Sequence, residues 1–386
     1  MDRIYLDYAA TTPCDPEVIK AMQLYFFKDF ANPSSIHYFG RHARQAVEES
    51  RKKTADFLGA NPDEIIFTSG GTESNNSAIK GIAYALKEKG RHIVTSAVEH
   101  HAVSEPCEFL EKNGFKITTV KVDKYGLVDP SEIKKALTNK TILVSVMHAN
   151  NEIGTIQPIA EIGSILKEKG VCFHVDAVQS AGHIPVNVNE LNVDLLSLSA
   201  HKFYGPKGVG VLYVRKGLKL ENLLHGGNQE KGRRASTSNT AGIVGLAKAL
   251  ELCAVKMAQE ADFQSGLRDK IINRIEKEIP ESLLNGHREK RLPNNINFSI
   301  RYIEGESILL HLDALGIAVS TGSACTSSNS EPSRVLTAIG LPHEIAHGSL
   351  RITLGRWTKE KDVDFLLENL PKIVNKLRAM SPLYEK

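Results

Sequence analysis

The feature that most constrains the fold of this chain is a regular alternation of two patterns between residues 62 and 214. Short runs rich in β-branched residues alternate with longer segments whose apolar residues recur at helical spacing. Several runs are apolar on both faces, which is typical of strands covered by helices on either side. The predicted strands are 64–67, 92–95, 115–122, 141–147, 171–175 and 194–198, and the predicted helices are 72–89, 101–112, 130–137 and 158–169. This repetition predicts an α/β fold with a mostly parallel sheet between two layers of helices.

The C-terminal part of the chain carries a second, smaller α/β pattern. A long helical region at 240–279 ends before Pro280. Beyond it we predict strands at 295–300, 317–320 and 349–354 and helices at 304–315, 332–339 and 359–379. Because 386 residues are long for a single core, two domains are expected. We predict a large domain of residues 13–257 and a small domain formed by residues 1–12 and 258–386.

Composition excludes several classes of protein. The net charge of +3 gives no sign of a nucleic-acid or membrane-surface partner. The N-terminus has acidic residues where a signal peptide has an apolar run, and no apolar stretch approaches the ~18 residues of a membrane span. Five cysteines without a CxxC pair argue against a disulfide framework and a structural zinc site. We therefore expect a cytoplasmic protein without a metal site of its own.

Polar residues that follow the predicted strands indicate a cofactor site, because ligands of parallel sheets bind at the carboxyl ends of strands. The segment 68–73 places two glycines between a strand and a helix, which suits a phosphate, although it would equally suit a plain helix cap. Asp176 ends a strand, where it could cap the next helix or keep a pyridine nitrogen protonated. Gln179, three residues further on, could reach a hydroxyl of the same ring.

Lys202 follows the next strand and is a candidate Schiff-base lysine. Ser199 and His201 flank it and are placed to bind phosphate oxygens. A solvated loop lysine is the alternative interpretation of Lys202 taken alone. The presence of Asp176 and of the glycine turn at 70–72 favours the functional interpretation.

Cys325 differs from the other cysteines in its surroundings. Cys172 and Cys253 lie among apolar residues, which is typical of buried structural thiols. Cys325 lies within a stretch of small polar residues at about 320–331, which we predict to be a mobile loop. A thiol on such a loop could collect an atom from a buried substrate and deliver it outside.

Taken together, these motifs resemble the class V aminotransferases, which use pyridoxal phosphate, and within them the cysteine desulfurases of the NifS/IscS type. The similarity runs from Tyr5 to Arg356 with the motifs in matching order. The matching segments are 7–12 (DYAATT), 32–35 (NPSS), 68–75 (TSGGTESN), 150–154 (NNEIG), 176–179 (DAVQ), 199–208 (SAHKFYGPKG) and 322–326 (GSACT). The resemblance implies fold type I, with a seven-stranded, mostly parallel sheet in the large domain and a smaller C-terminal α/β domain.

The resemblance also implies roles for individual residues. Lys202 would hold the cofactor covalently, Asp176 would pair with its ring nitrogen, and Gln179 would bind its ring oxygen. His100 would stack on the ring and assist proton transfer, although a histidine after a strand is more often a helix cap. The remaining assignments are the phosphate ligands Gly71, Thr72, Ser199, His201 and, from a neighbouring subunit, Thr237; Asn151, as a ligand of both cofactor and substrate; and the substrate ligands Arg351 and Asn32.

The implied reaction converts L-cysteine to L-alanine and leaves the sulfur on Cys325 as a persulfide. Its implied partners are a second copy of the chain, forming a homodimer with the site at the interface, and a sulfur acceptor or iron–sulfur scaffold protein. Cys325 could also transiently ligate an iron–sulfur cluster. The alternatives are a class V aminotransferase or a selenocysteine lyase-like enzyme in which Cys325 is incidental.

The sequence departs from the family pattern in two places. Ser236 stands where relatives usually have glycine, which leaves the backbone geometry around Thr237 open. The chain also ends soon after its last predicted helix, whereas housekeeping relatives usually carry a longer tail. The short tail and the pair Arg233 and Arg234 lean toward the NifS-like branch.

Overall fold

The structure is a computed structural model that describes residues 3–321 and 333–384. Its strands are β1 (Ile4–Tyr5), β2 (Ile65–Thr68), β3 (His92–Ser96), β4 (Lys116–Val120), β5 (Thr141–Ser145), β6 (Cys172–Asp176), β7 (Leu195–Ser199), β8 (Gly210–Val214), β9 (Ser282–Leu284), β10 (Asn295–Ile300), β11 (Ile317–Ala318) and β12 (Ser349–Thr353). Its α-helices are α1 (Pro16–Phe27), α2 (Tyr38–Leu58), α3 (Gly71–Ala85), α4 (His101–Lys112), α5 (Pro130–Ala136), α6 (Ile159–Lys169), α7 (Thr240–Glu278), α8 (Gly305–Ala314), α9 (Arg334–Ala338), α10 (His343–His347) and α11 (Glu360–Met380).

The predicted central sheet is present and has seven strands in the order β2-β8-β7-β6-β5-β3-β4. β8 is antiparallel to both of its neighbours, whereas the pairs from β7 to β4 are parallel. Only a single 3₁₀ turn, Ala200–Lys202, lies between β7 and β8. A connection this short has no crossover helix, so the chain returns antiparallel. The six predicted strands and the α/β fold class are confirmed.

The C-terminal region contains a three-stranded antiparallel sheet, β12-β10-β9, and the parallel pair β1-β11. The predicted strands at 295–300, 317–320 and 349–354 are present with shifts of up to two residues at their ends. The sequence patterns do not predict β1, β9, α1, α2 or α10. β1 and β9 have only two and three residues, which is too short for an alternating pattern to be read.

The two largest of four clusters of buried apolar residues among the described residues form most of the core. One joins β2 to β8 with α2, α6 and the first part of α7, and the other joins β10, β12, α8 and α11 with the second part of α7. Helix α7 is 39 residues long and contributes Leu246 and Leu250 to the first cluster and Ile271 and Ile275 to the second. The proposed division of the chain at residue 257, within α7, stays a prediction.

The topology brings the polar ends of several strands together. Asp176 is the last residue of β6, and the segments after β2, β3, β5 and β7 carry Gly71, His100, Asn151 and Lys202 respectively. Arg351 reaches the same region from β12 of the second sheet, where Ser320 bridges to it. Among the helices of the described residues, none combines the length and apolar character that crossing a bilayer requires.

Candidate active site

A cavity of about 290 Å³ lies at the carboxyl ends of the central strands. It is bounded by the N-terminus of α3, the segments that follow β3, β5, β6 and β7, the N-terminal residues Ala9 and Ala10, and one side chain of β12. The predicted site residues among its lining are Gly71, Thr72, His100, Asn151, Asp176, Gln179, Ser199, His201, Lys202 and Arg351. The rule for ligand sites in parallel sheets therefore holds here.

The N-terminus of α3 forms one end of this cavity. Gly70 has φ 154° and ψ −178°, a conformation that side chains strongly disfavour, and no side chain caps the helix among the described residues. A Cβ on Gly71 would lie 2.8 Å from Val178 Cγ2, so a side chain there would clash with the wall of the cavity. The first amides of α3 are thus directed into a space where an anion can approach the backbone.

Asp176 lies at the end of β6 and is 5% exposed. Asn75 Nδ2 donates to its Oδ2 at 2.7 Å, and the Val178 amide donates to its Oδ1 at 2.9 Å. These two hydrogen bonds fix the orientation of the carboxylate. The oxygen of the Asn75 amide, Oδ1, is buried and has no hydrogen-bond partner among the described residues.

Lys202 follows β7 in a 3₁₀ turn, and its side chain crosses to the N-terminal segment. Its Nζ donates to the carbonyl oxygens of Ala9 at 2.5 Å and Ala10 at 2.8 Å. Gln179 Nε2 also donates to the Ala9 carbonyl, at 2.9 Å, and keeps a second N–H for another acceptor. On the backbone side, His183 Nε2 donates to the Lys202 carbonyl at 3.2 Å. The lysine is therefore anchored at both ends.

Two histidines in the cavity are neutral at physiological pH. Burial lowers the pKa of His100, although Asp176 acts in the opposite direction. His100 Nδ1 accepts from the Ala102 amide at 3.0 Å, so the proton of the neutral ring sits on Nε2. Burial lowers the pKa of His201 to about 4, with Lys202 adding to the effect. Both rings therefore act here as hydrogen-bonding groups rather than as cations.

Arg351 is 4% exposed and already holds two partners. Its Nη1 donates to the Asn151 carbonyl and its Nη2 to Asp7 Oδ1, each at 3.0 Å. The third donor group, Nε, is buried and has no partner in residues 3–321 and 333–384. Burial raises the pKa of Asp7, with Arg351 acting in the opposite direction. A substrate carboxylate that accepted two hydrogen bonds from the guanidinium would compete with Asn151 or Asp7 for one of these donors.

The comparisons with known proteins agree with this geometry. The family model of the class-V aminotransferases matches residues 4–366. A curated relative, the cysteine desulfurase IscS of Dictyoglomus turgidum, is 61% identical over 98% of this chain and 96% of its own length. A solved structure described as a NifS-like protein superposes with a TM-score of 0.92 at 39% identity, covering 97% of this chain and 100% of that one. A structure of SspA in complex with cysteine has a TM-score of 0.81 at 38% identity, with coverage of 91% and 98%.

The chain is a cysteine desulfurase of the class-V aminotransferase family. Its fold is the one expected from the sequence, with a mostly parallel sheet between helices. The residues of the cavity also fit the pyridoxal phosphate that this family uses. The uncapped α3 N-terminus suits a phosphate, the buried Asp176 suits a protonated ring nitrogen, and Lys202 is the lysine among the described residues that line the cavity.

Two predicted site residues that the structure describes, Asn32 and Thr237, do not line the cavity of this single chain. Asn32 is exposed, and its Oδ1 accepts from the Ser34 amide at 2.9 Å, in the connection between α1 and α2. Thr237 is exposed and lines a separate small cavity behind α3. Its assigned role as a contact from a neighbouring subunit stays a prediction, as does that of Asn32. Cys325 lies outside the described residues.

Sequence reasoning missed several residues that shape this desulfurase site. Asn75 follows Gly71 by four residues, so helical periodicity could have placed it on the same face of α3 as the cavity. Asp7 and the carbonyl groups of Ala9 and Ala10 carry no local signal of this kind. Ala9 and Ala10 reach the cavity, and Asp7 reaches Arg351, because β1 pairs with β11 and leads the N-terminal segment across the sheet end.

Proposed function

We propose that this protein is a pyridoxal-phosphate-dependent cysteine desulfurase that converts L-cysteine to L-alanine and receives the sulfur on Cys325 as a persulfide. The observation that carries the proposal is the convergence of Lys202, Asp176 and the α3 N-terminus on one cavity. Cys325 enters from the sequence motif at 322–326 and from the relatives named as cysteine desulfurases. The structure of SspA with cysteine supports the choice of substrate.

The cofactor, when bound, supplies an electron sink that stabilises the charge left when the substrate Cα loses its proton. The residues of this chain hold that group in place. Asp176 would accept the N–H of the ring, Gln179 would donate to the ring oxygen, and the α3 N-terminus, Ser199 and His201 would bind the phosphate. Lys202 would bind the cofactor covalently, and its free amine would be the base that removes the proton from the substrate Cα.

Substrate binding falls to Arg351 and Asn151. The guanidinium offers the carboxylate of cysteine a charge-assisted contact in a nearly dry environment. His100 lines the same cavity and carries an N–H on Nε2. This N–H donates a hydrogen bond to an acceptor in the cavity while the ring stays neutral. The neutral state avoids a second buried cation beside Lys202.

Sulfur transfer needs a nucleophile other than the residues that would hold the cofactor. The thiolate of Cys325 forms an S–S bond with the substrate sulfur while the Cβ–Sγ bond breaks. The electron pair of the broken bond stays on Cβ, which is then protonated, and alanine leaves. A second thiol then removes the outer sulfur and regenerates Cys325. We propose a thiol acceptor or an iron–sulfur scaffold protein for this role.

A homodimer is part of the proposal, and one surface of the chain supports it. The end of α1 and the connection to α2 expose several large apolar side chains, among them Phe27 (64%), Phe30 (67%) and Ile36 (86%). Exposed apolar residues concentrated in one segment mark an interaction surface. Asn32 lies in the same segment, so a second copy would bring it close to a partner's site. We further propose a cytoplasmic location, consistent with the unpaired thiols of Cys14, Cys107, Cys172 and Cys253.

The test is mass analysis of the cofactor-loaded protein after incubation with L-cysteine. We expect one added sulfur on the peptide that carries Cys325, with alanine as the other product. Cys325→Ala should keep the cofactor absorbance and release neither sulfide nor alanine. Cys14→Ala is the matched control, since Cys14 is half-buried and burial raises the pKa of its thiol.

Two results would contradict the proposal. Full sulfide release by Cys325→Ala would remove that residue from the reaction. Efficient amino transfer from cysteine to a keto acid by the same variant would make the protein an aminotransferase. Lys202→Ala tests cofactor attachment independently of sulfur transfer. It should abolish the covalent cofactor signal even without substrate.

A further inference from the structure

Two motif residues that the reaction does not use meet directly in the structure. Glu73 lies in the first turn of α3, and Arg234 lies 161 residues later in the segment between β8 and α7. Arg234 Nε donates to Glu73 Oε1 at 2.8 Å and Arg234 Nη2 donates to Oε2 at 3.1 Å. The two side chains are only 19% and 10% exposed. This is a bidentate, largely buried ion pair directly behind the proposed phosphate site.

The carboxylate of Glu73 is also tied to its own turn. It accepts from the Ser69 amide at 2.8 Å, so it braces the strand-to-helix turn that contains Gly70 and Gly71. Burial alone would raise the pKa of Glu73, but hydrogen bonds from Arg234 and Ser69 outweigh it and lower the pKa. The carboxylate is therefore ionised at neutral pH and retains both contacts.

A second anchor holds the same segment further upstream. Arg51 of α2 donates to both carboxylate oxygens of Glu230, at 2.7 and 2.9 Å. The Phe67 amide at β2 donates to Glu230 Oε2 at 3.0 Å. Segment 229–237, which we call the crossover segment, is thus fastened to α2, β2 and α3. It ends at Thr237, which is exposed and does not reach the cavity of its own chain.

The crossover segment cannot hold this shape by itself. Glu230, Lys231 and Ser236 have φ values of 47°, 58° and 94°, which non-glycine residues adopt only at a cost. Such a backbone persists only where surrounding contacts overdetermine it. The anchors at Glu230 and Arg234 provide those contacts, and the second of them lies on the turn that carries Gly71 and Thr72.

We infer that Glu73 and Arg234 are positioning residues. Their ion pair joins the turn that contains Gly71 and Thr72, which we call the phosphate turn, to Thr237, the residue that each protomer contributes to its partner's site. The inference rests on the proposed cofactor and homodimer. A shift in the α3 turn is transmitted through the bidentate pair to the crossover segment, so each protomer's phosphate turn sets the geometry of a contact in the other protomer's site. The two cofactor sites of the dimer are therefore mechanically linked.

The first experiment measures the affinity of the cofactor-free protein for pyridoxal phosphate and for pyridoxal, which lacks the phosphate. Glu73→Gln removes the charge and one good acceptor, so pyridoxal phosphate should bind about tenfold more weakly. The affinity for pyridoxal should not change. Glu260→Gln is the matched control, because it breaks another buried arginine–glutamate pair, with Arg356, that does not line the cavity. Equal losses for both ligands would show general damage and overturn the inference.

The second experiment tests the link between subunits with a heterodimer of two differently tagged chains. One chain carries Lys202→Ala together with Glu73→Gln, and the other is unchanged, so the unchanged chain has the only site able to bind cofactor covalently. That site should bind pyridoxal phosphate about tenfold more weakly than in a heterodimer whose first chain carries Lys202→Ala alone. An unchanged affinity would overturn the inference and leave the desulfurase proposal intact. A monomeric protein would overturn this inference together with the homodimer, which size measurement detects separately.

Discussion

At the scale of single residues, several side chains serve the local fold and the site at once. His100 caps the N-terminus of α4 through Nδ1, and the same contact fixes the tautomer that it presents to the cavity. Gly70 closes a turn that side chains strongly disfavour, and the turn opens the α3 amides to a phosphate. Ser236 does not fit its local backbone in this way. It has φ 94° although it carries a side chain.

Ser236→Gly should therefore stabilise the protein by about 1 kcal/mol, because glycine adopts a positive φ at little steric cost. The gain is the relief of strain minus the extra entropy that glycine gives the unfolded chain. Chemical denaturation of the cofactor-free protein measures it. Ser238→Gly is the control, since Ser238 is not among the residues with positive φ, and there we expect no gain. Equal effects at both positions would contradict the strain argument.

Arg351 supports a second prediction at this scale. Arg351→Lys keeps the charge but loses the planar fork that contacts Asn151 and Asp7. We expect KM for cysteine to rise by about tenfold or more with a smaller change in kcat, because binding of the carboxylate is weakened in both ground and transition states. Steady-state kinetics test this. Arg274→Lys, in an exposed pair with Glu278, is the control.

At the scale of secondary-structure elements, a buried acid joins two neighbouring strands below the site. Glu99 Oε1 accepts from Ser96 Oγ at 2.5 Å, at the end of β3, and from the Met147 amide at 2.9 Å, just after β5. These contacts hold together the two segments that lead to His100 and Asn151. Burial raises the pKa of Glu99 to about 8, so the carboxyl is mainly protonated at neutral pH.

This raised pKa gives a pH dependence of stability with a definite sign. Between the ordinary value of 4.5 and about 8, the folded protein holds a proton at Glu99 that the unfolded chain has lost. The free energy of unfolding therefore falls as pH rises through this window, by at most about 1.4 kcal/mol per pH unit from this group. Glu99→Gln removes the term, so it should gain stability relative to wild type between pH 5 and pH 8.

Denaturation curves of wild type and Glu99→Gln at several pH values test this prediction. Glu88→Gln is the control, because Glu88 is exposed and its replacement should give a difference from wild type that does not vary with pH. A constant difference for Glu99→Gln as well would show that the Glu99 carboxyl is ionised throughout.

At the scale of the whole molecule, the site is completed by elements far apart in the chain. The central sheet supplies Asp176 and Lys202, β12 supplies Arg351, and the N-terminal segment supplies the carbonyl groups that hold Lys202. The proposed homodimer would add Thr237 from a second copy. The apolar surface at the end of α1 is the part of one chain that supports such an assembly.

Paired charges on that surface should break the dimer. Phe27→Asp with Ile36→Asp places two carboxylates in the proposed contact, and we expect a folded monomer that binds pyridoxal phosphate more weakly, because Thr237 is no longer delivered. Light scattering after size exclusion measures the mass. Leu310→Asp is the control, since Leu310 on α8 is 60% exposed but lies far from this segment in the sequence. An unchanged dimer mass for the double variant would place the interface elsewhere.

Much of the sheet and of the cavity could be predicted from the sequence because each signal was local. Asp176 and Lys202 directly follow apolar strands, and parallel strands bring their carboxyl ends to one edge. Helical spacing from Gly71 could have placed Asn75 near the cavity, but its hydrogen bond to Asp176 joins residues 101 positions apart and no local pattern encodes that pair. The pair of Glu73 and Arg234, 161 residues apart, escaped for the same reason. Asn32 was assigned by motif alone, and one chain does not bring it to the cavity.

The sequence by itself therefore determined the alternation of strands and helices that builds the central sheet, the edge of that sheet where the cavity lies and the residue types that line it. Hydrophobic periodicity and the polar residues at strand ends are properties of neighbouring positions, so both can be recognised in the sequence before the fold is known. Only the tertiary structure decided that β8 runs antiparallel, that Arg351 pairs with Asp7, and that the Glu73–Arg234 ion pair joins the crossover segment to the phosphate turn. Those facts depend on which distant side chains come into contact once the apolar surfaces are buried, and the pattern of any one segment does not contain them.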